Sequence, residues 1–193
     1  MSNWKEYVIG DLAQILSSKR IFASDYINSG IPFYRSKEII QKSMGQTVTT
    51  ELFISQKLFN SIKNKYGSPQ KGDILISAIG RPGIPYYVSD EKDFYFKDGN
   101  LIWFRNFDKC LLSKFLYYYL KSPVGQSKLE SITIGSVQKA LTIIEIKGLV
   151  LNLPPLPEQK AIASILSSLD DKIELNQQQQ QKQRQQRQTQ QQR

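Results

Sequence analysis

Apolar positions change their spacing along the chain. Upstream of residue 154 they come mostly in short runs bounded by turn residues, whereas downstream they recur at helical intervals and then stop. The clearest run is Ile74-Leu75-Ile76-Ser77-Ala78-Ile79, set between Lys71-Gly72-Asp73 and Gly80-Arg81-Pro82-Gly83. A short apolar run with turn residues at both ends predicts a buried strand. Tyr86-Tyr87-Val88 follows after so short a connection that it predicts an antiparallel partner. Phe94–Phe96 and Leu101–Phe104 flank the turn residues Asp98-Gly99 and predict further strands, and Leu149–Leu153 predicts a last one. Gly30 and Pro32 disfavour a helix, so Ile31–Lys37 reads as an extended piece with a polar, basic exit.

Helical spacing is local in this part. Ser55–Tyr66 places Leu58, Phe59 and Ile62 on one face, with Lys57, Lys63 and Lys65 on a solvated one. Ser55 suits its cap and Gly67 its stop. Leu12–Leu16 predicts a short helical piece capped by Asp11. Leu111–Leu120 predicts a helix capped by Ser113 or Asp108, and Ser122-Pro123 starts another that runs to about Ser131. Gly135–Lys139 is a polar loop.

Pro154, Pro155 and Pro157 then close the last strand, since proline lacks an N–H and is tolerated only in a helix's first turn. Beyond them Ile162, Leu166, Leu169 and Ile173 recur at spacings of four, three and four, with Ala161 and Ile165 beside them. A narrow stripe of this kind packs on another helix. Periodicity alone leaves open whether that helix belongs to the same domain. Residues 177–193 hold no apolar side chain, only glutamine, basic residues and one threonine. The fold expected is α+β: a mixed-sheet domain over 1–153, then a long coiled-coil-type C-terminal helix over 154–176. The low-complexity tail at 177–193 either continues the helix or is non-native.

Charge adds a partner class. The net charge is +9, and residues 1–153 hold 20 Lys+Arg against 13 Asp+Glu. A basic surplus in the globular part points to nucleic acid. No apolar run reaches the ~18–20 residues of a membrane span, and MSNWKEYVIG lacks the pattern of a signal peptide. One cysteine, Cys110, fits a reducing compartment, so the location expected is the cytoplasm.

Catalytic patterns are sparse. The chain has no histidine, hence no Ser-His or Cys-His pair and no His-ligated metal. No phosphate loop or dinucleotide fingerprint is present. Glu145-Ile146-Lys147 is a Glu-x-Lys, and with Asp73 it outlines a Mg-dependent nuclease. Chance occurrence explains that pattern more simply, and in Glu158-Gln159-Lys160, a second Glu-x-Lys, the dipole at a helix start accounts for Glu158. No cofactor is expected.

The chemistry that remains is recognition. Arginine pairs bidentately with guanine, glutamine or asparagine with adenine, and lysine meets phosphate. Basic and amide side chains in loops give the candidates Lys19, Arg20, Arg35, Lys37, Arg81, Gln138 and Lys139, with Ser36, Ser77 and Ser136 as minor contacts. Arg35 and Arg81 lead, because glycine or proline neighbours hold each on a turn.

The run Leu153-Pro154-Pro155-Leu156-Pro157-Glu158-Gln159-Lys160-Ala161-Ile162, with Ile165 and Leu166 after it, resembles the conserved region of type I restriction–modification specificity subunits. The Gly72–Ser77 strand with Gly80 and Gly83, and the order Gly135, Gln138, strand, proline turn, are similar to elements of their recognition domains. The resemblance implies a non-catalytic target-recognition domain for double-stranded DNA. It also implies methyltransferase and motor–nuclease restriction subunits as partners. One domain and one conserved helix resemble half such a subunit. On that reading two copies pair through Ala161, Ile162, Ile165, Leu166, Leu169 and Ile173. The alternative from another class is a stand-alone DNA-binding regulator or antirestriction factor.

Overall fold

The computed structural model describes residues 3–50, 52–135 and 139–191. β1 (Lys5–Val8) leads into one helical turn, α1 (Ile9–Leu12), and then β2 (Gln14–Leu16). β3 (Tyr26–Ile27) and β4 (Ile31–Tyr34) precede α2 (Ser36–Ser43), and β5 (Phe53–Ile54) precedes α3 (Gln56–Tyr66). Next come β6 (Ile74–Ser77), β7 (Pro85–Tyr87), β8 (Tyr95–Phe96) and β9 (Leu101–Arg105). They are followed by α4 (Ser113–Lys121), α5 (Pro123–Ser131), α6 (Ile143–Lys147), β10 (Val150–Leu153) and α7 (Leu156–Gln191).

The central sheet runs β2-β9-β6-β7 and is antiparallel throughout. A smaller sheet runs β3-β5-β4-β8, its β4–β8 pair parallel. β1 pairs antiparallel with β10, so the start of the chain is tied to the strand just before the prolines. The α+β architecture with a long terminal helix is the one expected from the pattern.

The buried run of β6 explains itself through its two faces. Ile74 and Ile76, with Ile102 and Phe104 of β9, pack toward α1, α4, α5 and Ala163 of α7. Leu75, with Leu101 and Trp103, packs on the other side against Ile39 of α2 and Phe96. Side chains alternate along a strand, so a strand covered on both faces is apolar at every position rather than at alternate ones. A third cluster, including Phe33, Ile54, Phe59 and Tyr95, joins the smaller sheet to α3.

Local signals set several boundaries. Ser55 Oγ accepts the Leu58 N–H at the start of α3, and Gly67 ends that helix at φ +84°. Ser122 Oγ accepts the Gly125 N–H, with Pro123 in the first turn of α5. Three expectations are corrected. α1 spans Ile9–Leu12, so Asp11 lies inside it and caps nothing, and Gln14–Leu16, expected as helix, is strand β2. α4 is capped by neither Ser113 nor Asp108: Leu112 stands at its N-cap and gives its N–H to Gln159 Oε1 at 2.8 Å. Residues 36–43 are helix, not an extended exit, because Glu38 reaches back to the Arg35 N–H at 2.8 Å and stabilises the first turn.

α7 carries two apolar faces. Ile162, Ala163 and Leu166 pack on the domain core. Ile165, Leu169 and Ile173 stay 62%, 47% and 53% exposed, and Ala161 is exposed beside them. The single stripe expected from spacing is thus divided, its first part serving self-packing. The backbone stays helical through the glutamine-rich segment to Gln191. Gln159 fixes the joint. Buried to 1% exposure, it accepts from Leu112 N and donates through Nε2 to the carbonyls of Cys110 and Pro154. Trp4 Nε1 donates to Glu158 at 3.1 Å, and the Tyr118 hydroxyl to Asp170 at 3.0 Å. Among the described residues no helix is long and apolar enough to cross a membrane.

Candidate nucleic-acid interface

The register of the central sheet brings four loop ends together. Leu16 lies opposite Trp103, Ser77 opposite Leu101, and Ile76 opposite Pro85. The residues after β2, before β9, after β6 and before β7 therefore share one end of the sheet. Leu141 N donates to Ala78 O at 2.8 Å, and Ile134 and Ala140 exchange a pair of backbone bonds at 2.9 Å. Those bonds add Ile134, Ala140 and the adjacent Lys139 to the same end. Ser36 Oγ donates to Asn100 O at 2.8 Å and adds the start of α2.

Arg81 is exposed on the tight loop after β6. Gly80 and Gly83 hold φ at +76° and +92°, a region that only glycine enters readily. The buried Ser77 hydroxyl donates to the Arg81 carbonyl and accepts the Ile84 N–H, while Gln126 donates to Gly83 O at 2.9 Å. The loop is thus braced from beneath, and Arg81 is carried on a fixed base. Lys139 is exposed and lines the same hollow, of about 320 Å³, with its Nζ 3.9 Å from the Glu130 carboxylate.

The other candidates divide. Arg20 pairs with Asp98 at 2.8 Å yet keeps 67% of its side chain exposed. Lys37 is exposed on the first turn of α2. Lys19 donates its backbone N–H to the Tyr95 hydroxyl at 2.8 Å and lays its ammonium over the Tyr66 ring, 5.5 Å from the centroid. Ser136 and Gln138 lie outside the described residues.

Arg35 and Ser77 both have partners within the fold. Arg35 is spent locally: its Nη2 and Nε donate to Glu38 at 2.6 and 3.2 Å, and its own N–H goes to the same carboxylate. Burial pushes the Glu38 carboxyl up, but the Arg35 hydrogen bonds and charge outweigh it and hold the carboxyl below its ordinary value. Ser77 is 0% exposed and belongs to the loop brace. Ser36 likewise uses its hydroxyl on Asn100. A neighbouring glycine or proline identifies a turn, but it does not say which side chain leaves the turn outward.

Asp73 does not offer a metal ligand set. Its Oδ2 accepts from Gln70 N at 2.9 Å and Trp103 Nε1 at 2.8 Å beneath the surface, and burial pushes its carboxyl up despite those bonds. Glu145 stands in the first turn of α6, where Thr142 caps the helix. Among the described residues no group of three His, Cys, Asp or Glu side chains could hold a metal ion.

Two basic residues were not singled out by pattern. Arg105, at the end of β9, stacks on Trp103 at 4.4 Å from the ring centroid. Lys65 lays its ammonium 5.4 Å from the Tyr66 centroid. Helical spacing assigned Lys65 to a solvated face, and nothing in the sequence signals that Arg105 meets it.

The family described as type I restriction modification DNA specificity domain matches residues 1–183. A Haemophilus influenzae protein assigned as a type I restriction enzyme specificity subunit is 34% identical over 163 residues, covering 84% of this chain and 39% of that protein. The HindI specificity subunit of the same organism is 29% identical over 186 residues, covering 92% and 38%. The chain therefore spans about two fifths of the length of these curated relatives. The crystal structure of a type I restriction–modification S subunit from M. genitalium superposes with TM-score 0.63 at 21% identity, over 90% of this chain and 40% of that one. At that identity the likeness is one of fold.

Proposed function

The chain belongs to the type I restriction–modification DNA specificity family, and from that premise we propose that it is a sequence-reading, non-catalytic subunit for double-stranded DNA. Residues 1–153 form the recognition domain, 154–176 a proline turn and spacer helix, and 177–193 a glutamine-rich tail in which the helix continues to Gln191. The subunit acts in the cytoplasm and positions methyltransferase and restriction subunits on its site. The observation that carries the reading is the family match across residues 1–183. The gathering of basic loops at one end of the central sheet supports it.

Arg81 and Lys139 are the first choice as base readers, with Ser136 and Gln138, close to Lys139 in sequence, as further candidates. Arg20 and Lys37 serve as phosphate contacts, since solvated charges fix register without reading sequence. Two copies pair through Ala161, Ile165, Leu169 and Ile173, the part of the stripe that the domain leaves exposed.

Affinity purification of the tagged chain from cells that also express a type I methyltransferase subunit tests the reading. Recovery of that subunit together with site-specific adenine methylation is the expected result. A chain that binds DNA but recovers no methyltransferase and directs no methylation would instead be a stand-alone regulator. Within a methylating complex, Arg81→Ala should relax one position of the site, an effect of ~1–3 kcal/mol in discrimination, visible by sequencing methylated positions.

A further inference from the structure

A hollow of about 560 Å³ lies along β2, the edge strand of the central sheet, and its rim carries Lys19, Lys65 and Arg105. The residues that line it include no carboxylate. All three cations are organised around one tyrosine. Lys19 and Lys65 lay their ammonium groups 5.5 and 5.4 Å from the Tyr66 ring centroid, and Arg105 Nη1 donates to the Tyr66 carbonyl at 3.0 Å.

The guanidinium is set in place before any ligand arrives. Its Nε donates to Gln14 Oε1 at 2.7 Å, and its plane rests on Trp103. Gly67 makes room for it: a Cβ there would lie 2.3 Å from Arg105 Nη1. The carboxyl end of α3 accounts for Lys65 and for the bond to Tyr66 O, because helix C-termini favour cations. It does not account for Lys19, which belongs to the segment after β2 and is pinned by its backbone N–H to the Tyr95 hydroxyl. That bond uses a lone pair of the phenol and leaves its proton as a donor. Like charges gathered in this way repel one another, and an anion relieves the repulsion.

We propose that Lys19, Lys65 and Arg105 form a cradle for a DNA backbone phosphate, separate from the base-reading end of the sheet. The proposal rests on the DNA-recognition reading above. Continuity of surface favours the phosphodiester as the anion: Ser17 and Ser18 line both this hollow and the next one, which reaches Gly99 and Ala78 beneath the reading loops. A duplex lying across that end therefore carries its flanking phosphates past the cradle. The cradle contributes affinity and orientation and leaves sequence preference to the loops.

The test measures binding of the full chain to a mixed-sequence 30-base-pair duplex as salt is varied. Each phosphate contact contributes about −0.9 to the slope of log K against log salt. Changing Lys19→Gln and Lys65→Gln together should flatten the slope by about 0.9, the share of one phosphate, and weaken binding on the order of tenfold at 0.1 M salt. Both lysines are exposed, so the melting temperature should hold, and Lys19→Arg with Lys65→Arg should restore the slope. A double glutamine variant with wild-type slope and affinity, while the wild type binds with a clear slope, overturns the cradle alone. A wild type that binds no duplex overturns the recognition reading itself. A nucleoside monophosphate that binds as tightly as the duplex assigns the cradle to a free ligand and overturns the DNA assignment.

Discussion

The Asp73 carboxylate accepts two hydrogen bonds on one oxygen, and its neighbourhood is apolar enough that burial pushes its carboxyl up. An amide satisfies the same two donors without charge. Asp73→Asn should therefore be neutral or mildly stabilising at pH 7. Asp73→Ala strands the indole N–H of Trp103, itself 1% exposed, and should cost about 1–3 kcal/mol. The pH dependence has a definite sign. A carboxyl whose folded pKa is raised favours the folded state most below its unfolded pKa, and that contribution is lost as pH rises through the folded one. Denaturant unfolding from the ordinary carboxylate range upward should show Asp73→Asn gaining on the wild type. Glu38 runs the other way. Its carboxyl is held low, so its contribution is present above the unfolded pKa and is lost as pH falls through the folded one. Glu38→Gln should cost about 1–2 kcal/mol at pH 7 and close that gap in acid. Guanidine unfolding of the two proteins at both pH values measures it. Neither residue role is written in the sequence. Asp73 reads there as a turn residue or a metal ligand, and Glu38 as one charge among several.

At the scale of elements, the junction of domain and helix depends on one side chain. Gln159 serves the Leu112 N–H and two carbonyls at once, and so joins the start of α4 to the start of α7. Gln159→Leu keeps much of the volume and leaves three polar groups without their partner. It should destabilise the chain by about 2–4 kcal/mol, read from its urea midpoint. Gln159→Glu keeps only the acceptor role and should rescue little. The elements themselves divide by the kind of signal that forms them. α3, α5, β6 and β7 were legible because caps, prolines, glycines and apolar runs act within a few residues of the sequence. α2 was not, since its start depends on Glu38 reaching backward and on Ile39 finding Trp103 across the core. The candidate site shows the same division. Arg81 stands on a loop whose glycines announce it. The meeting of Lys19, Lys65 and Arg105 comes from sheet register and helix placement, which no local pattern encodes.

At the scale of the whole molecule, the question is what covers the outer face of α7. Spacing alone offers Leu166 as the centre of a seam, and Leu166→Asp as the substitution to break it. The fold changes that choice, because Leu166 packs on the domain core with Ile162 and Ala163. A charge at 166 would unsettle the domain whether or not two chains associate. Ile165 and Leu169 are the residues to change, being 62% and 47% exposed with no part in the core clusters. If two copies pair about a two-fold axis, the wild type should sediment as a dimer at micromolar concentration. Ile165→Asp with Leu169→Asp should then sediment as a monomer of unchanged melting temperature. Symmetric halves call for symmetric half-sites. The stretch from Pro157 to Asn176 gives about 30 Å of helix, close to one turn of DNA, so the separated half-sites should be inverted repeats. The same double variant should then bind a single half-site as the wild type does and lose the added affinity for two. A wild type that stays monomeric at high concentration would leave the stripe to a different helix, and an inverted-repeat site would lose its structural reason.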